Sequence, residues 1–99
     1  MSVIGIIATL KTQPGKEAEL EKIFSGLSAQ VKANEKGCLL YDLFKSKSDP
    51  QTYVVMEQYA TQADLEAHGK TDYFKAAFPA LGATLAGQPT IEYMDKIKL

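Results

Sequence analysis

The sequence predicts an α+β fold in which a four-stranded antiparallel sheet carries its helices on one face. Three observations lead there. Four runs rich in β-branched and aromatic residues are bounded by turn residues, and a long stretch with apolar residues at helical spacing follows the first of them. The chain has 99 residues and is 45% hydrophobic, which suits one domain spanning residues 1–99 and leaves no room for two. A chain this short buries only about 60–65% of the surface its unfolded form exposes, so apolar burial against a second subunit would add needed stability.

Val3–Leu10 reads as the first strand, with Ile4, Ile6, Ala8 and Leu10 on one face and Val3 and Ile7 on the other. Thr12-Gln13-Pro14-Gly15 breaks it. A helix follows over Lys16–Asn34, with Glu17 and Glu19 near the positive end of its dipole and the stripe Leu20, Ile23, Phe24, Leu27 and Val31 facing a sheet. Gly37 fits its exit. Cys38–Lys45 and Tyr53–Tyr59 are the next two strands, and the polar stretch Ser46–Gln51, with Asp49-Pro50 as its turn signal, makes them a hairpin.

Thr61 and Asp64 cap a short helix that stops at Gly69, and Thr71-Asp72 starts another. The stripe of this last helix is Phe74, Phe78, Leu81 and Leu85, and Pro79 should kink it or end it early. A final strand covers Thr90–Lys98, where Ile91, Tyr93, Asp95, Ile97 and Leu99 alternate with Glu92, Lys96 and Lys98. The order β-α-β-β-α-α-β is the ferredoxin-like arrangement. Its first three strands are apolar on both parities, yet helices cover one side only. A monomer would expose a large patch of Leu, Ile, Val, Tyr and Phe, so a homodimer packed sheet to sheet is expected.

Composition excludes several classes. The net charge is −1 with no Lys/Arg cluster, so neither a nucleic acid nor an anionic membrane is an expected partner. The N-terminal apolar run is short and lacks a basic start and a cleavage site, and no segment approaches a membrane span; a cytoplasmic protein is expected. One His and one Cys fall short of a metal site. Dinucleotide, phosphate-loop and esterase-elbow motifs are missing. Cys38, in an apolar run with no second cysteine, reads as a small buried hydrophobe.

The candidate side chains lie in and after the third strand: Glu57, Tyr59, His68, Tyr73 and Phe74. His68 is able to exchange a proton near neutral pH; equally, it could be a half-buried residue partnered by Asp64 one turn earlier. Glu57 lies mid-strand between apolar neighbours and needs a partner, either a substrate or a lysine at the dimer contact. Tyr41, Tyr53 and Tyr59 are either pocket-lining hydroxyls or ordinary strand aromatics. By spacing alone, Phe74 and Phe78 fit a core as well as a binding wall.

Taken together, the first strand followed by Pro14-Gly15-Lys16-Glu17, the run Gly37-Cys38-Leu39-Leu40-Tyr41-Asp42-Leu43, and Glu57-Gln58-Tyr59 through Ala67-His68 to Tyr73-Phe74 resemble the antibiotic-biosynthesis monooxygenase domain family over almost the whole chain. The resemblance implies a ferredoxin-like dimer of the dimeric α/β barrel type, with a pocket between sheet and helices. It also implies cofactor-independent oxidation of a small quinol or phenolic, polyketide-like substrate by O₂, with His68 as the base and Tyr41, Glu57, Tyr59, Tyr73, Phe74 and Phe78 around the substrate. The family's haem-degrading branch has an Asn, a Trp and a His where this chain has Ala8, Tyr59 and Phe78, so haem is not an expected ligand. Two alternatives stand beside the oxygenase: an isomerase of a phosphorylated autoinducer-type sugar, which the family also contains, and a binding or stress-response protein without turnover.

Overall fold

The computed structural model describes residues 2–99. Strand β1 (Ile4–Lys11) is flanked on one side by β3 (Thr52–Tyr59) and on the other by β4 (Thr90–Asp95), while β2 (Cys38–Lys45) pairs with the free edge of β3. The order across the sheet is β2-β3-β1-β4 and every neighbouring pair is antiparallel. Helices α1 (Glu17–Asn34), α2 (Gln62–Gly69) and α3 (Asp72–Gly82) complete the chain. The topology is the expected ferredoxin-like β-α-β-β-α-α-β.

The core forms where α1 lies on the sheet. Leu20, Phe24, Leu27 and Val31 pack against Ala8 and Leu10 of β1, Tyr41 of β2, and Tyr53 and Val55 of β3. Four of the five residues in the expected α1 stripe are buried; Ile23, on the flank of the stripe, is only partly covered. Phe24 stacks on Tyr41 with ring centroids 5.1 Å apart and the planes within 8°. Burying such side chains contributes roughly 1.5–3 kcal/mol each.

Several boundaries differ from the sequence reading. Strand β4 ends at Asp95 rather than Lys98, because its partner β1 begins at Ile4. The Lys96 N–H still reaches the Val3 carbonyl at 2.9 Å, one step past the last strand pair, Ile4 and Asp95. Pro79 does not stop α3, which runs three residues further to Gly82; near a helix end the missing N–H forfeits one bond and little else. Leu85 lies outside the helix. It forms an isolated bridge with Thr12, and the Ala86 N–H donates to the Lys11 carbonyl at 2.7 Å, tying the chain after α3 to the end of β1. None of the α3 stripe is fully buried, so Phe74 and Phe78 are not core residues in the sense that Phe24 is.

Cross-strand register sorts the sheet faces. Tyr41, Tyr53, Glu57 and Tyr59 face the helices with Ile6, Ala8 and Leu10. The open face carries Ile7, Leu40, Phe44, Val54, Met56 and Met94, of which Phe44 is 50% exposed. The exposed patch is therefore aliphatic with one Phe, and the tyrosines expected in it lie on the other side.

Helix α2 owes its position to its first turn. The Thr61 hydroxyl accepts from the Asp64 N–H at 3.1 Å and donates to the Asp64 carboxylate at 2.8 Å. That carboxylate rests directly on Gly37, where an added Cβ would come within 2.1 Å of Asp64 Cγ. Gly37, read from the sequence as the exit of α1, is thus the seat of the next helix. Gly37→Ala should lower stability by about 1–3 kcal/mol and loosen α2. Thermal denaturation together with hydrogen exchange over residues 62–69 would check it; an unchanged melting temperature would contradict the packing argument.

Candidate active site

The three helices do not reach the far edge of the sheet. Ile91 and Tyr93 point to the helix side by register, yet Tyr93 is 64% exposed because none of the three helices packs onto β4. A two-lobed cavity opens between this edge and helices α2 and α3. The outer lobe, about 660 Å³, is bordered by Ile6, Leu65, His68, Tyr93, Asp95 and Glu66 among others. The inner lobe, about 500 Å³, runs beneath α3 along Leu10, Leu27, Val55, Leu81 and Pro89. Ala8, Glu57, Phe74 and Ile91 border both. These volumes fall in the range of small-molecule sites.

His68 is 4% exposed, near the end of α2, with its ring among Tyr41, Tyr59 and Phe74 at centroid distances of 5.3, 5.4 and 4.8 Å. Its Nδ1 meets Glu35 Oε1 at 2.9 Å. Asp64, the expected partner, is committed to Thr61 and Gly37 and does not reach the imidazole. The other carboxylate oxygen of Glu35 accepts from the Tyr73 hydroxyl. An ionised Glu35 is an acceptor only, so it selects the Nδ1–H form of the ring. Nε2 then carries a lone pair. It has no hydrogen-bond partner among the described residues, and no buried polar side-chain atom there is left unsatisfied, so Nε2 is open to the cavity that His68 borders.

Glu57 is the second polar group. It faces the helices, not the open sheet, so a lysine across a sheet-to-sheet contact is not its partner; the Tyr59 hydroxyl donates to it at 2.7 Å. Burial raises the Glu57 carboxyl above the usual carboxylate range; the Tyr59 bond and the nearby imidazole act the other way. Burial also raises the Tyr41 and Tyr59 phenols far above their ordinary range, so both stay protonated donors.

The remaining expected site residues divide. Tyr41 borders the inner lobe, Phe74 divides the two lobes, and Phe78, its ring tilted against Phe74 at 5.6 Å, lies at the inner lobe's outer rim. Tyr59 is fully buried behind Glu57 and His68 and borders neither lobe, and Tyr73 stands behind Glu35. Both act through another side chain. Burial and the Glu35 bond push the Tyr73 phenol up to about 12. Tyr53, turned to the far end of the sheet, bonds Glu21 and takes no part. Cys38 is half-buried, and burial pushes its thiol up to about 11, consistent with an unreactive packing residue. Among the described residues, no group of three or more His, Cys, Asp or Glu side chains is arranged to hold a metal ion.

Glu35 is the residue that sequence reasoning missed. It is the C-cap of α1, 33 positions before His68, in the polar stretch where a glutamate carries no signal. The inner-lobe walls Leu10 and Leu27 read from sequence only as a strand face and the α1 stripe.

The fold is ferredoxin-like, with a carboxylate-held histidine bordering a cavity under its helices. Residues 3–80 match the antibiotic biosynthesis monooxygenase family, and the chain belongs to that family. It is 30% identical over 87 residues to YcnE of Bacillus subtilis (strain 168), a provisionally assigned monooxygenase, covering 88% of this chain and 90% of that one. A provisionally assigned antibiotic biosynthesis monooxygenase from Caulobacter crescentus CB15 superposes with a TM-score of 0.95 at 55% identity, over 98% of this chain and 92% of that one. PA3566 from Pseudomonas aeruginosa gives a TM-score of 0.88 at 28% identity, over 99% and 97% of the two chains.

The raised Glu57 has a consequence for stability. A carboxyl whose folded value exceeds its unfolded value loses stabilisation as pH rises between the two. Glu57→Gln should therefore be more stable than the parent at pH 7, with the difference shrinking below the ordinary value of 4.5. Urea melts at several pH values would check this; a variant destabilised equally at every pH would contradict it.

Proposed function

We propose that this protein is a cofactor-independent monooxygenase that oxidises a small quinol or phenol with O₂, using His68 as its base. The observation that carries the reading is the pairing of His68 Nδ1 with Glu35, which leaves Nε2 free to take a proton from a hydroxyl in the cavity. The imidazolium so formed is stabilised by Glu35 behind it and by Glu57 at the junction of the lobes. Removing the substrate's proton makes an electron-rich phenolate, which is able to reduce O₂ itself in a site that excludes water. The electrons balance without a cofactor: one oxygen atom forms a bond to a ring carbon in place of hydrogen, the other leaves as water, and the quinol becomes a hydroxylated quinone. Glu57 and the Tyr41 hydroxyl are the groups available to orient the substrate's second oxygen.

An isomerase of a phosphorylated sugar fits less well. Among the described residues neither lobe is bordered by a lysine, and the chain has no arginine, so no basic side chain there would hold a phosphate. A binding protein without turnover would not need a free imidazole nitrogen oriented by a carboxylate. No helix among the described residues is long and apolar enough to cross a membrane, and we assign the reaction to the cytoplasm.

The working unit in this proposal is a homodimer joined through the open sheet faces, which would cover Leu40, Phe44, Val54 and Met56. Light scattering at micromolar concentration should give twice the mass of the 10.8 kDa chain, and Phe44→Glu with Met56→Glu should halve it. A monomeric parent protein would overturn the dimer.

O₂ consumption with a panel of hydroquinones tests the chemistry. His68→Ala should lose activity by about 100-fold or more, and Glu35→Gln by about 10-fold with KM little changed. Undiminished O₂ uptake by folded His68→Ala would refute the role of His68, and no uptake by the parent with any quinol or phenol would refute the oxygenase.

A further inference from the structure

We infer that the inner lobe is a binding site for an uncharged apolar extension of the substrate, and that the site as a whole rejects anions. This deepens the reading of the cavity as a substrate site and rests on it. The outer lobe holds the chemistry: His68 and Glu57 meet there, and its other charged neighbours, Glu66 and Asp95, are acidic. A carboxylate or phosphate entering that lobe would face like charges, with no lysine or arginine among the described residues that border it. Removing such a group from water without a partner is costly.

The inner lobe differs in kind. Its walls include Leu10, Leu27, Val55, Leu81, Leu85 and Pro89, and Glu57, at its junction with the outer lobe, is the one charged side chain among the described residues that borders it. Its volume of about 500 Å³ exceeds what one phenol ring needs. A ring held against His68 therefore leaves apolar space beyond Phe74 that an unsubstituted quinol cannot fill. Phe74 stands at the junction of the lobes, its ring 4.8 Å from that of His68 and 5.6 Å from that of Phe78. The substrate class that suits both lobes is a neutral or cationic phenol or quinol bearing a second ring or an alkyl chain of several carbons.

Calorimetric titration with redox-inert probes separates this claim from the oxygenase reading. The probes are phenol, a series of 4-alkylphenols, and the same chains ending in carboxylate. Affinity should rise about three- to four-fold per methylene until the inner lobe is full, and the terminal carboxylate should cost at least ten-fold. In Leu81→Trp, which narrows the inner lobe, the rise should stop at a shorter chain. Phenol binding that does not strengthen with chain length, or carboxylates that bind as well as their neutral partners, would overturn the inference whatever the O₂ assay gives. A rising series in a protein that consumes no O₂ would support the site and refute the oxygenase alone.

Discussion

The contact between His68 and Glu35 organises the helical side of this molecule. Both side chains are nearly sealed from solvent, 6% and 12% exposed, and each would be expensive to bury alone. Together they join the end of α1 to the end of α2, and Tyr73 adds α3 through the second carboxylate oxygen. Beside their packing on the sheet and the Tyr53–Glu21 bond, the three helices thus gain one directional junction among themselves. The imidazole needs it, because its other neighbours, Tyr41, Tyr59 and Phe74, surround it with aromatic rings and offer Nδ1 no acceptor. The carboxylate that makes burial of the histidine affordable also fixes which nitrogen faces the cavity.

The cavity arises from a shortage of helix rather than from a special fold. Helix α1 is 18 residues long and covers the middle of the sheet, whereas α2 and α3, 8 and 11 residues, leave β4 bare. Ile91 and Tyr93 on that strand become cavity walls instead of core. Glu57 tolerates its place in the sheet because the cavity begins there and Tyr59 supplies a donor; the same residue under α1 would be an unpartnered buried charge. Stability is reduced at this residue, since the burial that raises its carboxyl opposes its ionisation in the folded state.

Local chemistry made much of the fold readable. Pro14-Gly15 ends β1, and Gly15 has φ +87°, where glycine is favoured. Thr61 and Thr71 each cap a helix with the hydroxyl that their positions suggested. The α1 stripe faces the core, and the hairpin between β2 and β3 falls where Asp49-Pro50 signals a turn. Errors came at places where a neighbour decides. β4 ends at the residue paired with Ile4, the first of β1, and α3 passes Pro79 because only a few residues remain to be disturbed.

The sequence by itself determined the element order, the buried stripe of α1, the apolar character of both sheet faces, and the family. Those follow from periodicity and from turn and cap residues that act within a few positions of themselves. His68, Glu57, Tyr41, Phe74 and Phe78 were legible as candidates because polar or aromatic residues in such settings demand an account. Tertiary structure alone decided that Glu35, not Asp64, holds the imidazole, that Tyr59 and Tyr73 stand behind the wall, and that core-like leucines border a second lobe. Each of those depends on residues tens of positions apart meeting in space, and on helices too short to cover the sheet, which no local spacing encodes.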